Sequence, residues 1–308
     1  METKTVLLAT VLLIAAFILI VLPGLILISG LLPQPACVGV IPVNGELVTQ
    51  DTGGAFSSGI TSSDTFTELV NEANNRQEIK SVLFEINSGG GSVVASSEMY
   101  RTAKELKKPK LMFFREVGAS GAYYLAMGGN EVMSDPAALT GSIGARVTTA
   151  DLSGLFGNLG ISLTNIKSGQ FKDMGDPSRP LTEAEVAMLQ GIVDEMFGDF
   201  KQVVINSRKD KANFTLEKFD TVADGRIMSG KQAFALGLVD SLGDKHDALV
   251  RAARMGGIKD AEPRVCELSK KTSFIDALFS SSASSLSEIF SRAFKTALPT
   301  GGVEAKLQ

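Results

Sequence analysis

The stretch that decides the fold is Ser81–Met99, which reads SVLFEINSGGGSVVASSEM. Its apolar run predicts a buried strand, its three consecutive glycines a turn, and the residues from Ser92 onward a helix. Glycines at such a turn let the backbone approach a ligand and direct N–H groups at it. The segment matches neither GxxxxGK[ST] nor GxGxxG, which argues against a phosphate-binding loop. An oxyanion hole and a tight turn that needs positive φ remain as alternative interpretations.

A serine lies at the next predicted corner between a strand and a helix. Ser120 follows the strand predicted at Lys110–Phe114 and stands at the start of the helix predicted at Ala119–Met127. A serine at such a corner exposes its hydroxyl to a ligand, as in a nucleophile elbow. The pattern departs from GxSxG, because Ala122 stands where the second glycine would be. A helix N-cap or a small packing residue is the alternative interpretation.

A nucleophilic serine needs a base, and the sequence limits the choice. His246 is the only histidine, and it lies between Lys245 and Asp247 at the start of a charged helix. Lys172 lies in a loop rich in glycine, serine and aspartate. A lysine in such a loop is usually solvated, but as a neutral amine in a dry, apolar site it can take a proton from a serine. Lys172 is therefore a candidate partner of Ser120.

Predicted strands and helices alternate after the N-terminal region. The predicted strands are Val38–Val43, Ser81–Ile86, Lys110–Phe114, Glu131–Ser134 and Ile161–Ile166. The predicted helices are Thr65–Asn75, Ser92–Leu106, Ala119–Met127, Leu181–Ser207 with Thr182 as N-cap, Leu216–Ala223, Gly230–Leu236 and Asp244–Met255. This alternation predicts an α/β fold of βαβ units with a mainly parallel sheet.

The N-terminal region predicts one transmembrane anchor. Residues 6–32 are almost wholly apolar and follow a short tail, residues 1–5. As a helix they would span roughly 40 Å, more than the ~30 Å hydrocarbon core of a bilayer. A cleaved signal peptide, whose apolar run is only about 7–15 residues, and a buried helix are the alternatives. Lys4 weakly favours a single-pass protein of the cell membrane with its large domain on the extracytoplasmic side.

The remaining chain divides into a predicted catalytic domain, residues 37–257, and a C-terminal tail, residues 258–308. Apolar residues recur at helical spacing in residues 286–297, after a run of serines. This spacing predicts an amphipathic helix that touches a membrane or a neighbour. A partly ordered tail with one apolar face is the alternative.

The composition excludes several functional classes. The net charge of −4 argues against a broadly basic nucleic-acid-binding protein. Two cysteines exclude a disulfide-rich scaffold and a cysteine-based zinc cluster, and a single histidine argues against a histidine-based metal site. We therefore expect no metal, no cofactor and no nucleic-acid partner.

Four motifs in order make the chain resemble the signal peptide peptidase A family, peptidase family S49. They are NSGGG at Asn87–Gly91 for the family's N-S-P-G-G, ASGAYY at Ala119–Tyr124 for A-S-G-G-Y-Y, TGSIG at Thr140–Gly144, and IKSGQFKD at Ile166–Asp173. The resemblance covers about residues 37–250 and, with one anchor, points to the short form of the family. Gly89 departs from the family's proline, so we expect a looser glycine turn.

The resemblance implies a Clp protease/crotonase-like superhelix and a membrane-anchored serine endopeptidase. It implies cleavage of hydrophobic peptides, such as signal-peptide remnants, through an acyl-enzyme. Ser120 matches the nucleophile and Lys172 the general base.

The same comparison assigns the supporting groups. The amides of Gly91 and Gly121 match the oxyanion donors, with Gly90 as the fallback for Gly91. Ser142 lies where a hydroxyl could hold the lysine amine. The family forms ring-shaped homo-oligomers, in which one site can combine the serine and lysine of adjacent subunits.

Three alternative functions remain at this point. A Clp-like Ser-His-Asp peptidase would need His246 as its base. A crotonase-type acyl-CoA enzyme shares the oxyanion hole but would need neither Ser120 nor Lys172. A non-catalytic membrane scaffold on the same fold is the third alternative.

Overall fold

The computed structural model describes residues 14–15, 17–18, 34–51 and 59–269. The predicted anchor at residues 6–32 therefore lies almost wholly outside the described residues, and the predicted helix at 286–297 lies wholly outside them. Among the residues that are described, no helix has the length and apolar character needed to cross a membrane.

A mostly parallel sheet forms the centre of the fold, as the alternation predicted. Its strands are β1 (Cys37–Val48), β2 (Ile60–Ser62), β3 (Ile79–Gly91), β4 (Lys110–Ala119), β5 (Glu131–Ser134), β6 (Leu139–Gly141), β7 (Ile227–Ser229), β8 (Ser241–Leu242) and β9 (Val265–Glu267). The main path runs β2-β1-β3-β4-β5-β8, with parallel neighbours throughout. β9 joins β1 and β6 joins β4, both in parallel, and β7 pairs antiparallel with β6.

Helices cover both faces of this sheet. They are α1 (Ser63–Asn75), α2 (Val93–Glu105), α3 (Gly121–Ala126), α4 (Ser153–Asn158), α5 (Glu183–Arg208), α6 (Leu216–Asp220), α7 (Gly230–Ala235) and α8 (Lys245–Met255). Thr182 caps α5 as predicted, in a capping box with Glu185. Because successive side chains of a strand point to opposite faces, Phe84 joins the core under α1, α2 and α3, whereas Leu83 joins a second core under α8.

The prediction of a strand at Ile161–Ile166 is wrong. These residues have no regular secondary structure, and Ile166 is 99% exposed. The alternating apolar pattern is real, but a strand needs a neighbour for its backbone hydrogen bonds. None of residues 144–184 is buried, so the segment lies away from the sheet.

A disulfide bond joins the start of the sheet to its last strand. Cys37 in β1 bonds Cys266 in β9, and both residues are buried. Residues 265–267 therefore belong to the same sheet, beyond the domain end predicted at Gly257. The cysteine count could not reveal this pairing, because the two residues are 229 positions apart in sequence.

The disulfide generates a stability prediction. Since it closes a very long loop, Cys266→Ser should lower the free energy of unfolding by about 2–4 kcal/mol. Urea denaturation without reductant measures this change. Reductant should destabilise the wild type and leave the variant unchanged. Equal stability of the oxidised wild type and the variant would contradict the prediction.

Candidate active site

A cleft of about 1000 Å³ opens where β3 and β4 end. Gly89–Gly91, the glycine run that ends β3, lies on one side together with Ser120 and Ser142. A face of α5 forms part of the lining through Gln190, Val193, Asp194 and Phe197. Because β3 and β4 are parallel neighbours, the sheet brings the glycine run beside Ser120.

Ser120 has a strained backbone. Its φ of 54° and ψ of −124° are rare for a residue with a side chain, and such strain concentrates at functional sites. Two bonds hold it: the Ser120 amide donates to the Gly141 carbonyl (2.9 Å), and the Tyr124 amide donates to the Ser120 carbonyl (3.0 Å). Ser120 occupies the N-cap position of α3, but its side chain makes no capping hydrogen bond. The geometry therefore favours the nucleophile-elbow interpretation over the N-cap interpretation.

The glycine run packs directly against the start of α3. A Cβ atom on Gly90 would lie 2.6 Å from the Gly121 amide nitrogen and 3.0 Å from the Ser120 Cβ. A Cβ atom on Gly121 would lie 3.3 Å from the Gly91 amide nitrogen. The φ of Gly90 is +98°, a conformation that favours glycine. The run can therefore be both a tight backbone that needs positive φ and a candidate oxyanion hole, because the same close packing places backbone amides beside Ser120.

Ser142 also has positive φ, 51°, and faces the same cleft. Its amide donates to the Arg226 carbonyl (2.7 Å), and the Gly225 amide donates to the Ile143 carbonyl (3.0 Å). The hydrogen-bonded Arg226 guanidinium lowers the pKa of Asp224 to about 2. These contacts keep a charged pair at the cleft rim and fix the backbone of Ser142.

Lys172 lies apart from the other predicted site residues. It is exposed, and its amide donates to the Gly169 carbonyl (3.2 Å). Among the described residues, those that line the cleft with Ser120 do not include Lys172. His246 does not line it either; it is exposed on α8, which packs on the opposite face of the sheet from α3.

A small pocket beside Ser120 was not predicted from the sequence. Its volume is about 40 Å³, and apolar residues of α3 and α5 contribute to it: Tyr124, Met196 and Phe200. Helical spacing predicted α5 but could not show which of its apolar residues face a site. No group of three or more acidic, histidine or cysteine side chains in the described part of the chain could hold a metal ion.

Comparisons with known proteins identify relatives. The model of peptidase family S49 matches residues 102–259. A Methanocaldococcus jannaschii protein named as a protease is 35% identical over 199 residues, which cover 64% of this chain and 63% of that protein. An Enterococcus faecium protein named as signal peptide peptidase SppA is 32% identical over 224 residues, covering 72% of this chain and 64% of that protein.

The chain thus spans less than two thirds of the length of these relatives. A solved membrane-bound stomatin-specific protease is 12% identical, with a TM-score of 0.48, and covers 80% of this chain and 98% of its own. The match of the family model extends over half of the chain, from α2 through α8. The chain therefore belongs to peptidase family S49, the signal peptide peptidase A family.

Proposed function

We propose that this peptidase is a membrane-anchored serine endopeptidase that cleaves hydrophobic peptides with a Ser-Lys dyad. Ser120 would be the nucleophile and Lys172 the general base. The observation that carries the proposal is the strained Ser120, held beside the glycine run in a large cleft. Its hydroxyl makes no helix-capping bond, so it is available to a substrate.

The backbone geometry supports Gly91 and Gly121 as oxyanion donors. The Ser92 amide donates to the Leu47 carbonyl on β1 (2.8 Å). Because successive strand amides point in opposite directions, the Gly91 amide points away from β1 and towards α3. The Gly90 amide already donates to the Ser88 hydroxyl (3.1 Å), so Gly91 is the better candidate.

The proposed reaction is acyl transfer. Neutral Lys172 takes the Ser120 proton while Oγ attacks the scissile carbonyl carbon, and the oxyanion binds the Gly91 and Gly121 amides. The protonated lysine then donates its proton to the leaving amine. A water molecule, activated by the same lysine, hydrolyses the acyl-enzyme and regenerates Ser120. Ser142 would orient the lysine amine.

The apolar pocket beside Ser120 supports hydrophobic peptides as substrates. Met196 and Phe200 contribute to it, and Val93, which is 47% exposed, lines both the pocket and the larger cleft. A pocket of this size suits a small apolar side chain next to the scissile bond. Signal-peptide remnants contain such side chains in quantity.

An exposed arm supports a ring-shaped homo-oligomer. None of residues 144–184 is buried, and this arm exposes many large apolar side chains, an arrangement typical of an interface. They include Val147, Leu152, Leu155, Leu159, Ile161, Leu163 and Ile166. Lys172 lies in the arm and not at its own cleft, so an adjacent subunit would complete each site.

The disulfide between Cys37 and Cys266 supports an extracytoplasmic position of the catalytic domain. Disulfides persist in oxidising compartments and are rare in the cytosol. This agrees with the single-pass anchor expected at residues 6–32.

The first test uses two inactive variants. Ser120→Ala and Lys172→Arg should each lose peptide hydrolysis, because alanine lacks the nucleophile and a guanidinium cannot be deprotonated. When one cell expresses both variants with two different tags, rings that contain both variants can be purified. About a quarter of the sites in these rings should be active, since each site takes its serine from one subunit and its lysine independently from a neighbour. His246→Ala should keep wild-type activity.

The outcomes are distinct. An active Lys172→Arg variant, or a folded but inactive His246→Ala variant, would overturn the Ser-Lys dyad. Activity of Ser120→Ala would overturn the peptidase mechanism altogether. Inactive mixed rings would place Ser120 and Lys172 of one site in the same subunit.

The second test compares adjacent glycines. Gly90→Ala should reduce hydrolysis at least about tenfold, because its Cβ would collide with the Gly121 amide and positive φ strains alanine. Gly89→Ala is the matched control, since a Cβ there meets nothing within 4 Å. Hydrolysis of one hydrophobic peptide, with thermal unfolding measured in parallel, checks both variants. Similar activity of the two would contradict the proposed oxyanion geometry.

A further inference from the structure

The loop that carries Lys172 is held by charged groups and not by an apolar core. Every residue from 161 to 172 is exposed. The next residue, Asp173, has a side chain that is only 10% exposed, because cations surround it. Lys167 Nζ donates to Asp173 Oδ1 (2.6 Å) and to the Gln170 carbonyl (3.1 Å). The conformation of the base loop therefore depends on Asp173 and its partners.

Arg179 makes most of the contacts to Asp173. Its Nη2 donates to Asp173 Oδ1 (2.8 Å) and its Nε donates to Oδ2 (3.1 Å), a bidentate arrangement. Nη2 also donates to the Asp173 carbonyl oxygen (3.2 Å). One guanidinium thus fixes both the side chain and the backbone of the residue next to Lys172.

The same guanidinium is tied to α5. Arg179 Nη1 donates to Glu185 Oε2 (2.9 Å), and Nη2 donates to Oε1 (2.6 Å). Glu185 is 1% exposed and accepts a hydrogen bond from the Thr182 amide (2.8 Å) in the capping box of α5. Further along, α5 lines the cleft that contains Ser120. Arg179 therefore connects the base loop to the 26-residue helix α5 of its own subunit, while Lys172 itself would serve the cleft of a neighbour.

Electrostatics keep this connection charged. The Arg179 guanidinium, with the Thr182 amide, lowers the pKa of Glu185 to about 2. Arg179 and then Lys167 hold the pKa of Asp173 well below its usual range. Both carboxylates therefore stay ionised at any pH at which the enzyme would work.

We propose that Arg179 is a positioning residue for the general base: it clamps Asp173, and with it Lys172, onto Glu185 of α5. This inference rests on the proposed role of Lys172. A planar guanidinium can bond both carboxylates at once, whereas an ammonium group cannot reproduce this fork geometry. Arg179→Lys should therefore restore little of the lost function.

The experiment measures kcat and KM of assembled protein on a small hydrophobic peptide, together with thermal unfolding and ring size. Arg179→Gln should lower kcat by about 10- to 100-fold, the cost of misplacing a catalytic group by about 1 Å, with KM nearly unchanged. Asp173→Asn should behave similarly, and the double variant should lose little more than either single variant.

Arg251→Gln is the matched control. Arg251 also pairs with a carboxylate, through Nε (2.9 Å) and Nη2 (2.7 Å) to Glu131 Oε2, but it lies on α8, away from the cleft. This control should keep wild-type kcat. An Arg179→Gln variant with the kcat of Arg251→Gln would overturn the proposal.

Two further readouts separate positioning from folding. If Arg179→Gln assembles poorly, its activity is expressed per assembled ring and compared with that of Arg179→Lys. A wild-type kcat per ring in both variants would show that Arg179 has a purely structural role. That result would overturn the proposal. An active Lys172→Arg variant would overturn the Ser-Lys dyad itself. An inactive Lys172→Arg variant beside a fully active Arg179→Gln variant would overturn the clamp alone.

Discussion

The close approach of the glycine run to the first turn of α3 constrains the rest of this structure. A side chain at Gly90 would enter the space of the Gly121 amide, and a side chain at Gly91 would collide with the backbone of Leu47 on β1. The end of β3 can therefore lie against both β1 and the start of α3 only if glycine occupies both positions. The same close packing places the Gly91 and Gly121 amide nitrogens at the turn occupied by Ser120, whose φ is also positive. The fold and the proposed site therefore share these two backbone contacts.

The local part of this arrangement was predictable from the sequence, because its signals are local. The glycines of Ser81–Met99 and the small residues around Ser120 predicted strand, turn and helix, and the structure confirms both corners. The boundaries differ, because both strands run further than predicted: the glycines extend β3 to Gly91 by pairing with β1, and β4 continues to Ala119. The pairing of Cys37 with Cys266, and the face of α5 that lines the cleft, depend on tertiary contacts that composition and periodicity do not contain.

The proposed site has two parts that are stabilised in different ways. Ser120, Gly91 and Gly121 belong to a close-packed sheet edge, where backbone hydrogen bonds and buried side chains leave little freedom. Lys172 belongs to an exposed arm that charged groups hold in shape. The residues of both parts were proposed from sequence motifs and stay a prediction, whereas the strand prediction at Ile161–Ile166 failed. The apolar alternation there predicts a strand with one face packed against another surface. The described residues of one chain do not provide such a surface.

The central claim is that Ser120 is a nucleophile activated by Lys172. A fluorophosphonate probe tests it most directly, because an activated serine oxygen displaces fluoride and forms a stable bond to phosphorus. Peptide mass spectrometry after labelling of the assembled protein should find one adduct, on Ser120, that forms far more slowly in Lys172→Arg. An adduct on Ser142 and not on Ser120, no adduct at all, or equally fast labelling of the Lys172→Arg variant would contradict the claim.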